Sequence, residues 1–196
     1  MSYLSDDEFD SILNAVNVYS ISSDEMKDIS QYSFDAGKAK EYESFLYDQA
    51  NRLEELCISK TFIVLHKDTK ELVGYFTLSA DTVKLTTEEK EQDDLTEVPF
   101  MSLPAIKVGK LASNKALSDK ARRKGYGSFM LDLASTYAFG VLEAGVACRF
   151  LTVDADVEYY PDTVDFYIKN GFQVNQSRKR KPSDKTVSMR RDIFAE

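Results

Sequence analysis

The 196-residue sequence holds a single histidine, His66, and two cysteines, Cys57 and Cys148, and each scarcity excludes a class of chemistry. One histidine cannot build a multi-histidine metal site, and neither HExxH nor the phosphate-loop pattern GxxxxGK[ST] occurs. The cysteines stand far apart with no CxxC pair, so a zinc ribbon and a disulfide framework are both excluded, no metal is expected, and a reducing compartment fits. No apolar run approaches the roughly 20 residues that span a bilayer, so no membrane partner is expected. The start Met1-Ser2-Tyr3-Leu4-Ser5-Asp6-Asp7-Glu8 is acidic where a secretory leader is basic, which places the protein in the cytoplasm. His66 falls in the polar turn Leu65-His66-Lys67-Asp68-Thr69-Lys70 and is read as solvated rather than catalytic.

The 43% of hydrophobic residues is enough for one core, because a chain of this length buries roughly 70% of its unfolded surface. The net charge of −8 conceals an asymmetry. Residues 105–131 carry seven Lys/Arg (Lys107, Lys110, Lys115, Lys120, Arg122, Arg123, Lys124) against the one acid Asp119, whereas residues 1–104 are strongly acidic. A compact cation cluster in an acidic protein fits a small polyanionic ligand held locally, with a solvated lysine face as the alternative; broad nucleic-acid binding needs a wider basic face.

Periodicity supplies the elements. Asp6, Asp7, Glu8 and Asp10 ahead of Ile12, Leu13 and Val16 open a short helix. From Ala39 to Leu56 the residues Tyr42, Phe45, Leu46, Ala50, Leu53 and Leu56 recur at helical steps. Thr61 to Leu65 and Leu72 to Leu78 form a hairpin whose second strand continues toward Leu85. Thr86 to Glu97, with six acids and one lysine, reads as a solvated loop or frayed helix. A strand at 105–112, a helix at 127–144 stopped by Gly145, a strand at 148–153, a helix from Pro161 to Asn170-Gly171 and two last strands at 172–177 and 186–193 complete the chain, the last two around a basic turn from Arg178 to Pro182.

The informative order is strand, polar loop, Arg122-Arg123-Lys124-Gly125-Tyr126-Gly127-Ser128, then helix. Free amides at a helix start, with cations beside them and glycines that let a ligand approach the backbone, make an anion site. The segment is not a dinucleotide fingerprint, since GxGxxG requires glycine where Met130 stands. Taken alone it equally describes a glycine-eased turn.

Its context is more specific. The cradle follows Ile106-Lys107-Val108-Gly109-Lys110-Leu111-Ala112 and precedes Phe166-Tyr167-Ile168-Lys169-Asn170-Gly171-Phe172. This combination resembles the GNAT acetyltransferases over about Phe34 to Ile193. The segments Phe34-Asp35-Ala36-Gly37 and Val73-Gly74-Tyr75-Phe76-Thr77-Leu78-Ser79-Ala80 look like the branch that includes transfer-RNA-acetylating toxins. The loop between Ala112 and Arg122 is about four residues longer than usual, and the acidic run at 86–98 is not a family signature. The resemblance implies an α/β (α+β) GNAT fold, with a mixed, mostly antiparallel twisted sheet of six or seven strands splayed centrally and flanked by helices. It divides the chain into an acidic extension at 1–33 and an acetyltransferase domain at 34–196.

The resemblance also implies acetyl-CoA as co-substrate. The amide of Leu111 would polarise the thioester carbonyl, while Leu111, Ala112 and Ser113 would lie along the pantetheine arm. Arg122, Arg123, Lys124, Gly125, Tyr126, Gly127 and Ser128 would bind the pyrophosphate, and Lys115, Lys120 or Lys124 the ribose phosphate. Tyr167 would protonate the leaving thiolate, with Tyr159 and Tyr160 as rivals. Asp154 and Asp156 are candidate bases or solvated acids. The expected reaction is direct acetyl transfer to a small-molecule or protein amine in a ternary complex. Aminoacyl-tRNA stays open as acceptor although a pI near 4.8 opposes a polyanion; a non-catalytic acetyl-CoA-binding module and a homodimer are open too. The acceptor walls are expected from the helix at 39–56, the segment 79–100 and the final hairpin.

Overall fold

The computed structural model describes residues 4–177, 181 and 183–195, so the basic turn at 178–182 lies, Lys181 apart, outside the described residues. In chain order the elements are helix α1 (Asp6–Ala15), strand β1 (Val16–Ser20), helix α2 (Lys40–Ser44), helix α3 (Ala50–Glu55), strands β2 (Lys60–His66) and β3 (Leu72–Lys84), helix α4 (Thr87–Gln92), strand β4 (Ser102–Ser113), helix α5 (Tyr126–Glu143), strand β5 (Phe150–Asp156), helix α6 (Thr163–Lys169) and strands β6 (Gln173–Val174) and β7 (Thr186–Asp192). The seven strands form one sheet in the order β1-β2-β3-β4-β5-β7-β6. Pairing is antiparallel for β1–β2, β2–β3, β5–β7 and β6–β7, and parallel for β4–β5. This is the mixed, mostly antiparallel sheet flanked by helices that the sequence implies. Among the described residues no helix is long and apolar enough to cross a membrane.

The chain divides into two compact units, one of Leu4–Ser79 with Gly109–Asp132 and one of Ala80–Val108 with residues 133–195. In the first unit, Ser5 caps α1: its hydroxyl accepts from the Glu8 amide and the Glu8 carboxylate accepts from the Ser5 amide, a reciprocal box that fixes the helix start. The amphipathic run at 40–55 is helical but broken in register by a π-helical turn at Phe45–Gln49. It buries Phe45, Leu46 and Ala50 against Ile63, Leu65, Leu72 and Tyr75 of the β2–β3 hairpin. Glu54 anchors the end of this run, its Oε1 accepting from Ser20 and Ser22 at 2.6 Å and from Lys60 at 2.9 Å, and its Oε2 from the Thr61 amide at 2.8 Å. Burial raises the Glu54 pKa, yet these hydrogen bonds outweigh it and hold the carboxyl below the usual range.

In the second unit, β5 is paired on one side with β4 over four residues, Ala105–Phe150 to Val108–Val153, and on the other with β7 over its full length. Val83, Leu85, Leu103, Ala105 and Phe150 form its apolar cluster. Gly171, at φ 79, ends α6 in the left-handed conformation that glycine adopts without a Cβ penalty.

Three expectations are corrected. His66 is buried, not solvated, because β1 pairs beside it, Val16 opposite His66, and its Nδ1 accepts from the Thr69 amide at 3.3 Å. The segment Thr86 to Glu97 is not merely a solvated excursion. Thr86 caps α4 in a second reciprocal box with Glu89, and Glu89 and Asp93 then bind the buried Arg190 of β7, Nη1 to Glu89 at 2.8 Å and Nη2 to Asp93 at 2.9 Å. Residues 6–20 carry not only the expected helix but the edge strand β1. Both cysteines are free thiols.

Candidate active site

The expected pyrophosphate loop lies in the first unit and is built from backbone rather than side chains. Arg122 is exposed and spends its guanidinium on its own loop, donating to the Leu117 carbonyl at 2.8 Å. Arg123 is exposed and donates to Ser11 Oγ of α1 at 3.1 Å, and Lys124 is exposed. Tyr126 and Ser128 are buried, so their side chains face the core. The Tyr126 hydroxyl donates to the Ala121 carbonyl at 2.9 Å and staples the turn closed, and burial pushes its pKa up. Among the described residues, the amides of 123–128 have no hydrogen-bond acceptor, and the first capture at the helix head is Phe129 N–H on the Gly125 carbonyl at 2.9 Å. The positive end of α5 therefore presents a run of unspent donors beside three cations. Gly125 sits at φ +94 with Leu4 and Ile12 against it, and the Phe9 ring packs at a tilt on Phe129, centroids 5.0 Å apart, so α1 lies directly behind this turn.

Leu111, Ala112 and Ser113 end β4 and are half-buried in the same unit. Two polar side chains fix this end. Thr77 Oγ1 accepts from the Lys110 amide at 2.9 Å, so a side chain takes a donor that a regular strand gives to its neighbour's backbone. The buried Asn114 clamps the strand end from four sides. Its Nδ2 donates to the Ser33 and Leu72 carbonyls at 2.9 and 2.7 Å, and its Oδ1 accepts from the Asp35 and Ala116 amides at 3.0 and 2.9 Å. Gly74 lies beneath: a Cβ there would stand 2.5 Å from the Ala112 carbonyl oxygen. The Lys110 ammonium sits 4.4 Å from the centre of the Tyr42 ring. Glu71 takes both the amide and hydroxyl of Ser118, at 2.8 and 2.6 Å, and so tethers the long loop before the cradle. Those Ser118 bonds hold the Glu71 pKa below its ordinary value.

Tyr167 lies in the second unit on α6, buried, with edge-to-face contacts to Phe166 at 5.1 Å and Phe172 at 5.3 Å. Arg191 pins the end of this helix, donating to the Asn170 carbonyl at 3.0 Å and to Ser135 Oγ, with its guanidinium over the Phe172 ring. Asp154 is on β5, not in a loop, and its Oδ2 is paired with the Lys107 ammonium at 2.6 Å. Asp156 accepts from the Glu158 amide at 2.9 Å. Lys115 and Lys120 are exposed in the loop before the cradle.

Thr77, Asn114, Glu71 and the backing of the turn by α1 escape sequence reasoning. Asn114 reads as one more polar loop residue, and its partners at Ser33 and Leu72 are distant along the chain. For Thr77 the only signal is a hydroxyl inside an apolar strand.

No protein-family model matches the sequence. Among solved structures, a tyrosine-to-phenylalanine mutant of KacT superposes with a TM-score of 0.65 at 19% identity, covering 89% of this chain and 94% of that one. AtaT in complex with acetyl-methionyl-tRNAfMet gives 0.64 at 17% identity, covering 88% and 93%. AtaTR bound with AcCoA gives 0.61 at 16% identity, covering 89% and 92%. The chain thus has the fold of KacT and AtaT, the GNAT fold that its sequence resemblance implies.

Proposed function

We propose that the protein is an acetyl-CoA-dependent N-acetyltransferase that passes the acetyl group directly to an amine in a ternary complex. The observation that carries this reading is the run of unspent amides at 123–128 heading α5, with Gly125 at φ +94 and Arg123 and Lys124 beside it. These residues fit a diphosphate, and its binding would leave the long arm of the coenzyme to run along Ser113, Ala112 and Leu111. Acetyl-CoA supplies the activated acyl group as a thioester. The amide of Leu111 is assigned to the carbonyl oxygen as it becomes an oxyanion, a contribution typically of about 2.7 to 4 kcal/mol per donor. The amine nitrogen would bond to the acyl carbon as the carbon–sulfur bond breaks, the Tyr167 hydroxyl would protonate the departing thiolate, and the proton shed by the nitrogen would return through water to the Tyr167 phenolate. The fold supports this assignment, since AtaTR has been solved with AcCoA. Direct transfer is favoured over an acetyl-cysteine intermediate at Cys148 because burial raises that thiol's pKa, which leaves little of the nucleophilic thiolate.

A second reading makes aminoacyl-tRNA the acceptor, favoured by the AtaT complex with acetyl-methionyl-tRNAfMet and opposed by the net charge of −8. The test of the first reading is calorimetry with acetyl-CoA on the intact chain and on Gly127→Glu. The wild type binds, and the acidic variant loses at least about tenfold, or 1.4 kcal/mol, of affinity. No uptake by the wild type, or equal uptake by the variant, overturns the reading. Uptake without acetyl transfer to a broad amine panel would instead mark a non-catalytic binding module.

A further inference from the structure

The second unit carries a polar face that the cofactor assignment leaves unused. In the β5–β7 ladder Thr152 stands opposite Arg190 and Asp154 opposite Ser188, so these four side chains share one face of the sheet. Arg190 is consumed by Glu89 and Asp93 of α4, which cover that part of the face. Beside it a cavity of about 300 Å³ remains, whose wall includes Asp81, Lys107, Thr152, Asp154, Asn175 and Ser188.

The charges on this wall are unequal in their pairing. Asp154 is neutralised by Lys107 at 2.6 Å. Asp81 receives the Thr152 hydroxyl on Oδ2 at 2.5 Å, and among the described residues no lysine or arginine pairs with it. Lys84 also borders the cavity, yet its carbonyl is taken by Ser177 Oγ at 2.5 Å, and strand alternation places its exposed side chain on the face opposite Asp81 and the buried Val83. Thr152 is 5% exposed and holds the Asp81 carboxylate in place. The site is thus a polar cup with one carboxylate fixed by a hydroxyl. At about 300 Å³ it stands at the small end of small-molecule sites.

We infer that this cavity binds a short primary alkylamine as its ammonium on Asp81, and, resting on the acetyltransferase reading above, that this is where the acceptor is selected. The ligand class is a small organic cation. Polyanionic compounds are excluded from the cup by the same carboxylate.

The experiment is a titration of the intact chain, followed by NMR chemical shifts at low ionic strength, with 1,4-diaminobutane, glycinamide, Nα-acetyl-lysine methylamide and, as an uncharged control, 1,4-butanediol. The amines shift resonances of residues 81–84 and 152–154 and the diol does not. Asp81→Asn, which keeps shape and removes charge, weakens amine binding at least tenfold while acetyl-CoA affinity stays unchanged. Preference for diaminobutane identifies a free amine as the source of the ammonium, and preference for the lysine derivative a peptide side chain. Absence of binding by every amine, equal binding of the diol, or undiminished amine binding by Asp81→Asn overturns the inference. The contrast between diamine and diol on the wild type decides the matter even where the variant fails to fold. Amine binding without acetyl-CoA uptake would sink the enzyme reading and leave the cup intact; acetyl-CoA uptake without amine binding would do the reverse.

Discussion

Replacing Gly74 with alanine tests whether the end of β4 is held as rigidly as its contacts imply. The added Cβ would stand 2.5 Å from the Ala112 carbonyl oxygen, 3.0 Å from Met130 Cε and 3.2 Å from Ser113 Cα. The methionine tip can swing aside at little cost, because its side chain is flexible. The two backbone atoms cannot, because the next residue, Asn114, is tied to Ser33, Asp35, Leu72 and Ala116 by its side chain and to the Val73 carbonyl by its amide at 2.8 Å. Overpacking a core by one methyl group typically costs about 1 to 3 kcal/mol, and a backbone neighbour without freedom to retreat places this variant near 3. With a urea slope of about 2 kcal/mol per molar, the unfolding midpoint falls by about 1.5 M. The assay is urea denaturation followed by far-UV circular dichroism, with acetyl-CoA calorimetry on the folded variant. A midpoint within about 0.3 M of wild type would refute the claim that Asn114 fixes this strand end. An unchanged acetyl-CoA affinity despite lost stability would refute the placement of the coenzyme arm along Ala112 and Ser113.

Tyr167→Phe keeps the ring contacts to Phe166 and Phe172 and removes the hydroxyl, so acetyl-CoA affinity holds while turnover falls about a hundredfold; unchanged turnover removes the assigned proton donor. Glu89→Gln preserves the shape and hydrogen-bond acceptor of the α4 cap but removes one of the two charges facing buried Arg190, and lowers stability by about 3 kcal/mol in thermal or urea unfolding; an unshifted transition would show that Asp93 alone suffices. For Glu71 the Ser118 hydrogen bonds lower the folded pKa below the ordinary 4.5, so its contribution is complete above that value and is lost as pH falls through the folded pKa. The stability gap between wild type and Glu71→Gln is therefore open near neutral pH and narrows as pH falls below 4.5; a gap that does not change with pH contradicts the tether.

Regular elements with a strong local period were legible in advance. The helix at Tyr126–Glu143, the β2–β3 hairpin and the amphipathic run at 40–55 all follow from side-chain spacing within a short window. The turn that heads α5 was legible for the same reason, since glycines before a helical period are a local signal. What escaped depends on partners far along the chain. Glu89 looks like a solvent acid until Arg190 is brought to it, and His66 looks like a turn residue until Val16 pairs opposite. The π-helical turn at Phe45–Gln49 is equally invisible, because its apolar residues fit an ordinary helix almost as well. The polar cup is assembled from separate pieces of chain, 81–84, 107, 152–154 and residues 175, 177 and 188, none of which carries a recognisable pattern alone.

The pairing of β1 with β2 has a practical consequence for anyone trimming the protein at Phe34, where the motifs quoted from its sequence begin. Such a chain would forfeit Leu4, Phe9 and Ile12 from behind Gly125 and Phe129, loosening the turn ahead of α5 from the rear. It would also uncover β2, whose run Phe62-Ile63-Val64-Leu65 would become a bare apolar edge open to further strands. Self-association through that edge, rather than a smaller working enzyme, is the expected product of the shortened gene.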